Sequence, residues 1–424
     1  MNRLFVLIIS LVFCLSAHTQ PVELLLWHSM AGQLGDEVRI ITEKFNKTQN
    51  EYKVIPVYKG NYVETLTSFA AAYRAHQPPA MVQIYEVGTA LMISPPGVIK
   101  PVDELMREQG IPLPKEDFIQ AVREFYSRDG QLMAMPFNLS VPVVYANLDI
   151  LKKVGYTNEN LPVTWDEIEV LAEKLKKEGY HCAFTSAYPG WILFESYLAI
   201  HGLPITQDNP KKAIFNTPQL QSHLQRLKRW YDLHYFRYGG RADDATILFT
   251  SQECPLFAQS SGAYNSLAQM VPFRLGITLM PLDDKFTHMR HANVAGGAAL
   301  WTIGGQSEKL YKGIAQFYAF IAKPEIQMQW HERTGYLPIG LKGIYAHILE
   351  ANNHPALALA LVDLENNFAP ATGNYSSPQN QIRIIYEQIL EALFAGTLTV
   401  DEALQQAINR SNLIILRFAR NTQI

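Results

Sequence analysis

The sequence predicts an α/β protein built from two units. Three observations predict it. Strand-like and helix-like stretches alternate through the first third of the chain, and a second unit begins near Val141–Ala146. No internal repeat, low-complexity segment or long linker lies between them, so short crossings must join the units rather than a tether.

The elements follow in order. Val22–Trp27 is an apolar strand, and Glu37–Asn46 an amphipathic helix with Val38, Ile41 and Phe45 on one face. Tyr52–Tyr58 reads as a second strand, Val63–His76 as a helix stopped by Pro78 and Pro79, and Ala80–Tyr85 as a third strand. This β-α-β-α-β order implies a mostly parallel sheet with ligands beyond the carboxyl ends of its strands. In the second unit Thr164 and Glu167 form a capping box for a helix that buries Trp165, Ile168, Leu171 and Leu175 and ends at Gly179. Thr217-Pro218 starts another helix, with Leu220, Leu224 and Leu227 along one side. Strands at Leu275–Met280 and Ala298–Ile303 flank a glycine-rich crossing, Gly296-Gly297, and Ser307 caps the next helix. Near the C-terminus Gly396 ends a helix, and Thr399 with Glu402 caps the last one.

Residues 1–20 read as an export signal, with Arg3 ahead of the apolar run Leu4–Leu15 and small residues at Ser16, Ala17 and Thr19. The run is shorter than the roughly 20 apolar residues that span a bilayer. A lipid anchor at Cys14 is the competing reading, and Phe13, where a small residue belongs, argues against it. A mature chain starting between His18 and Val22 would act outside the cytoplasm. With 48% apolar and 18% charged residues it has a soluble globular composition. A net charge of −3 and the lack of a basic block give no case for nucleic acid. Cys182 and Cys254 remain after cleavage, and sequence leaves open a disulfide or two buried thiols.

Catalytic signatures are missing. There is no phosphate loop, no G-x-S-x-G elbow and no zinc helix; His331-Glu332 lacks its second histidine. Ser260-Ser261-Gly262 has no base nearby in sequence, and the histidines are scattered singly. Hence no catalytic residue, metal or cofactor is expected. Paired carboxylates leave no spacing signature, so a secreted phosphodiesterase or glycosidase stays a rival, as does an adhesive or structural protein.

Short blocks spread over the chain carry a resemblance: WHSM (Trp27–Met30), YKGNY (Tyr58–Tyr62), YEVGTA (Tyr85–Ala90) and MPFNLS (Met135–Ser140). SSG (Ser260–Gly262), GGAALW (Gly296–Trp301), HERTGYLPI (His331–Ile339) and QIR (Gln381–Arg383) follow. In this order, over roughly residues 22–420, the chain resembles the periplasmic glycerol-3-phosphate binders of ABC importers. These belong to the two-lobed extracellular solute-binding proteins that include the maltose binder. The resemblance implies an α/β, two-lobed periplasmic-binding-protein fold of the type II, maltose-binder-like kind. Lobe 1 would comprise 21–138 plus 296–326 and lobe 2 141–292 plus 337–424. Hinge crossings would fall near 138–141, 293–297 and 324–336.

It also implies a site. Arg383, set between Ile382 and Ile384, would hold phosphate with its planar fork; a pair with Glu387, four residues on, is the plainer alternative. Ser140 and Ser260 would donate hydroxyls and Gly297 its backbone N–H, the alternatives being a strand end, a helix cap and a tight turn. Tyr336 would reach the cleft from beside Gly335. Tyr62 and Glu86 would hold the polyol end, Glu86 from the end of an apolar strand. Trp191 would form an aromatic wall. Tyr188 stands where the family has a second tryptophan, with less area and an added hydroxyl. Tyr62, Glu86 and Gly297 would come from lobe 1 or the hinge, and Trp191, Ser260 and Arg383 from lobe 2. The implied ligand is sn-glycerol 3-phosphate, with a glycerophosphodiester such as glycerophosphocholine, or an uncharged sugar, as alternatives. The implied partner is the permease of an ABC importer, served by a monomer in the periplasm.

Overall fold

The computed structural model describes residues 20–340, 355, 358, 359, 363 and 377–422. All but Gln20 of the expected export signal lies outside them. Within them no helix is long and apolar enough to cross a membrane.

Alternation builds the first strand: in Val22–His28 the side chains of Leu24, Leu26 and His28 are buried, while Glu23 and Leu25 point outward. This strand pairs in parallel with Tyr52–Tyr58 on one side and with Met81–Tyr85, wholly buried, on the other. The helix between the first two strands, Gly32–Asn46, buries Val38, Ile41 and Phe45 as its spacing predicts. It begins earlier than the sequence reading placed it, because Leu34 adds to the apolar face. Asn61 and Glu64 cap the Tyr62–Arg74 helix. That helix stops before His76, whose φ of +56° leaves the helical region. Two strands then complete the sheet from far along the chain. Gly296–Thr302 runs antiparallel between Met81–Tyr85 and Met135–Ser140, which closes the edge.

Gly296 and Gly297 belong to the strand and not to a crossing before it. Gly297, at φ +117°, sits at the bulged start of the pairing with Met135–Ser140, where the register shifts between Ala298 and Ala299. A Cβ there would lie 1.9 Å from the carbonyl oxygen of Asn138, so only glycine fits.

The second sheet has the order Phe236–Tyr238, Phe184–Ser186, Leu256–Ser260, Pro142–Asn147, Leu275–Leu279. The first three strands are parallel, and the last two pair antiparallel. The Thr164–Glu167 capping box and the Thr217 cap start the helices Trp165–Lys177 and Pro218–Asp232 where expected. Their buried faces meet the sheet through an aromatic cluster of Trp165, Phe184 and Trp230. Burying side chains of this size contributes about 1.5–3 kcal/mol each. The helices Gln379–Phe394 and Val400–Thr422 pack on the same core. Cys182 and Cys254 form a disulfide, with Cα atoms 4.8 Å apart, that ties together the approaches to the adjacent parallel strands Phe184–Ser186 and Leu256–Ser260.

A single residue, Val141, separates the last strand of the first sheet from Pro142–Asn147 of the second. Its N–H donates to the Ser261 hydroxyl at 3.1 Å, and its carbonyl accepts from Ser261 N–H at 2.8 Å. Ser140 lies beside Gly296 and Pro142 beside Ser260, so the carboxyl ends of the parallel strands in both sheets face each other across this crossing. The chain returns through Asn293, whose side-chain amide donates to Pro142 O and to Asp363. Where the sequence reading places a third crossing, the chain forms the helix Pro324–Thr334, closed by Gly335 at φ +82°. It then stays with the first lobe: Leu337 N–H donates to Leu139 O, and Ile339 O accepts from Ile119 N–H.

Candidate ligand cleft between the lobes

Arg383 stands on the buried side of the Gln379–Phe394 helix, between Ile382 and Ile385, which are both in the core. Its Nη1 pairs with Glu86 Oε1 at 2.7 Å, across the lobes. Its Nε and Nη2 hold both oxygens of Glu195, at 3.0 and 2.5 Å. Glu195 comes from Gly190–Ser196, a turn of wide π-helix, and also accepts from Gln379 Nε2 at 3.1 Å. The intrahelical pair with Glu387 is therefore not the contact that Arg383 makes. Burial works against the guanidinium's charge, but Glu195 and Glu86 outweigh it and hold its pKa well above the usual value. Burial raises the pKa of Glu86, with Arg383 pulling it back. Glu387 is pushed up to about 7 by burial, against the pull of Arg383 and Arg241.

Glu86 begins a short turn directly after the Met81–Tyr85 strand, the place at which an α/β sheet offers side chains to a ligand. Beside it Tyr62 stacks on Tyr85, with centroids 5.3 Å apart and planes 4° from parallel. The Tyr62 hydroxyl accepts from Asn138 Nδ2 at 3.0 Å, and Asn138 Oδ1 accepts from Gln83 Nε2 at 2.8 Å. Tyr336 lies beside Tyr62 and Asn138 and stacks on Trp330. Burial raises both phenols, Tyr336 to about 12, so both stay protonated donors at neutral pH.

The second lobe supplies the facing wall. Trp191 and Tyr188 meet edge to face at 6.4 Å. Tyr188 has φ +42°, a strained value for a bulky residue, and its N–H is held by Ala242 O. The Trp191 ring lies so close to Gly296 that a Cβ there would come within 2.2 Å of it. Its indole N–H is buried and has no partner among the described residues. Gly190 lets Arg383 and Glu387 approach the same turn: a Cβ there would be 3.2 and 3.1 Å from their Cγ atoms.

Ser260 Oγ accepts from Gly262 N–H at 3.1 Å, and Gly262 faces the Tyr336 ring. Ser140 is buried at the crossing. All nine residues singled out from sequence thus lie in one belt along the carboxyl edges of the two sheets. Ser260 and Gly297 also fill the plainer roles of turn cap and tight backbone packing. An open groove of ≈ 470 Å³ lies on the rim between Gln33 and the Asn265–Gln269 face, and it includes none of the nine.

Sequence reasoning missed Glu195, Asn138 and Gln379. Glu195 left a signal: an acid inside the apolar run WILFESYLAI must be buried, and a buried carboxylate needs a cation. Asn138 lies within the Met135–Ser140 block, yet nothing in its spacing distinguishes it.

Two α/β lobes, short crossings and a polar belt at the facing strand ends define a two-lobed solute-binding protein. The family description "Bacterial extracellular solute-binding protein" matches residues 41–357, and the chain belongs to that family. It is similar to the sn-glycerol-3-phosphate-binding periplasmic protein UgpB of Pectobacterium atrosepticum, 36% identical over 415 residues, covering 94% of this chain and 92% of that one. The protein of the same name from Escherichia coli K12 is 36% identical over 410 residues, covering 94% and 93%. Among solved structures, UgpB from Mycobacterium tuberculosis in complex with glycerophosphocholine superposes with a TM-score of 0.79 at 20% identity, covering 94% of this chain and 99% of that one. Maltose-bound MalE3 of T. maritima gives 0.76 at 18% identity, covering 92% and 99%. At these identities the two structures speak for the fold.

Proposed function

We propose that this chain captures sn-glycerol 3-phosphate between its lobes in the periplasm and presents it, as a monomer, to the permease of an ABC importer. One observation carries the reading: a guanidinium from the second lobe, Arg383, meets an acceptor for hydroxyls from the first, Glu86, at the facing strand ends. A phosphate on Arg383 would leave Glu86, Tyr62 and Tyr336 to hold the hydroxyls, with Ser140, Ser260 and the Gly297 N–H as further donors. The ligand named by the relatives at 36% identity has this make-up. Hinges at 138–141 and 293–295 let the lobes close, and only a ligand with higher affinity for the closed arrangement shifts that balance. No residue is assigned a catalytic role.

A glycerophosphodiester is the second reading. Tyr188 and Trp191 flank Gly190, against which Glu387 packs, and an aromatic wall with an acid beside it suits a cationic headgroup. Calorimetric titration with glycerol 3-phosphate, glycerophosphocholine and maltose separates these readings. Tightest binding of glycerol 3-phosphate supports the first, and tightest binding of the diester replaces it with the second. Tight binding of maltose alone overturns both.

A further inference from the structure

Arg383 meets more negative charge than it carries. Glu195 holds its Nε and Nη2, Glu86 holds Nη1, and Glu387 packs against the same glycine, Gly190. Glu195 is itself fixed from a second direction by Gln379. A guanidinium offers five N–H groups in a rigid fork. With the Nε–Nη2 edge taken, an anion can approach only through the Nη1–Nη2 end, and Glu86 sits there.

An incoming phosphate must therefore move the Glu86 carboxylate aside. That side chain is only 11% exposed, and a buried carboxylate without a partner is strongly disfavoured. A ligand carrying hydroxyl groups can satisfy the released carboxylate while its phosphate takes the vacated donors. A phosphomonoester without hydroxyls cannot.

We infer that Glu195 and Glu86 make Arg383 a gated anion site: Glu195 leaves one end of the fork free, Glu86 guards it, and only anions that bring hydroxyl donors are admitted. This rests on the reading that Arg383 receives the ligand's phosphate. Glu86 is here a specificity residue that excludes, beyond its role as an acceptor. Glu195 is a positioning residue that acts through Arg383.

The test compares methyl phosphate with glycerol 3-phosphate at mildly alkaline pH, where neither phosphate carries an acidic proton. Sites that leave a buried polar group unpaired reject the deficient analogue by roughly 10⁴- to 10⁵-fold. The unaltered chain should therefore bind methyl phosphate at least about 10³-fold more weakly. In Glu86→Gln, an amide that tolerates desolvation and can donate to the anion, methyl phosphate should bind about tenfold tighter or more. Glu195→Gln frees the side edge of the fork and should also tighten methyl phosphate binding, so the ratio falls in both variants. A purely structural role would weaken both ligands together and keep the ratio. The inference is overturned if the unaltered chain binds the two ligands within about tenfold of each other, or if both variants keep its ratio. Failure of the unaltered chain to bind glycerol 3-phosphate at all would overturn the function reading and this inference with it.

Discussion

Replacing Arg383 by alanine strands two carboxylates at once. Glu195 loses a bidentate partner and Glu86 its cross-lobe contact, and their side chains are only 4% and 11% exposed. Removing one partner of a buried ion pair typically costs about 3–5 kcal/mol. Proton uptake by Glu86, whose pKa burial already raises, offsets part of this. Urea unfolding at neutral pH should show a loss near the lower end, about 3 kcal/mol. Binding should fall as well: a phosphate forfeits two charge-assisted hydrogen bonds worth roughly 1.5–3 kcal/mol each. Together these amount to about 10²- to 10⁴-fold in Kd by calorimetry. Arg383→Lys separates the two effects, because an ammonium restores a charge between the acids but not the planar fork. Stability should largely return with lysine while affinity does not. Glycerol 3-phosphate binding by the alanine variant within about threefold of the unaltered chain would refute the phosphate assignment. An unchanged urea midpoint would refute the argument from stranded carboxylates.

Two further outcomes are expected. Glu387, at about 7 when folded against 4.5 when unperturbed, keeps its proton longer in the folded chain, so stability is lost as pH rises between those values. Glu387→Gln should therefore match the parent near pH 4.5 and exceed it by about 3 kcal/mol near pH 8; a constant difference across that range would contradict the assignment. Reducing the Cys182–Cys254 bond, which closes a loop of sequence separation 72, should cost about 4 kcal/mol on the chain-entropy relation. Urea curves with and without reductant measure it, and superimposable curves would show the cross-link to be idle.

What was legible in the sequence was local. Capping boxes at Thr164–Glu167 and Thr399–Glu402 mark helix starts because their contacts close within three residues. Strand partners are not local. Phe184–Ser186 and Phe236–Tyr238 are three residues long, too short to show a period, and became strands only through pairing. Gly296-Gly297 suggested a turn by composition, whereas the close approach of Asn138 is what requires glycine there. For Arg383 the sequence offered Glu387 as the neighbour. The fold supplied Glu195, 188 positions away, because a helix of the C-terminal region packs against the Gly190–Ser196 turn. Seven of the nine site residues lie within the motif blocks, and Tyr188 and Trp191 were reached through the family resemblance between those blocks; Glu195, which neither supplied, went unseen.

The strand Gly296–Thr302 has a consequence for how the chain matures. It is the seam of the first sheet, holding Met81–Tyr85 to Met135–Ser140 from more than 150 positions downstream. Until it has been synthesised, the N-terminal sheet exists as two unjoined pieces, while all five strands of the other sheet are already available. Pairings this remote in sequence form slowly. The N-terminal half is thus kept unlocked until late, and its closure waits on a strand made after the whole of the opposite sheet.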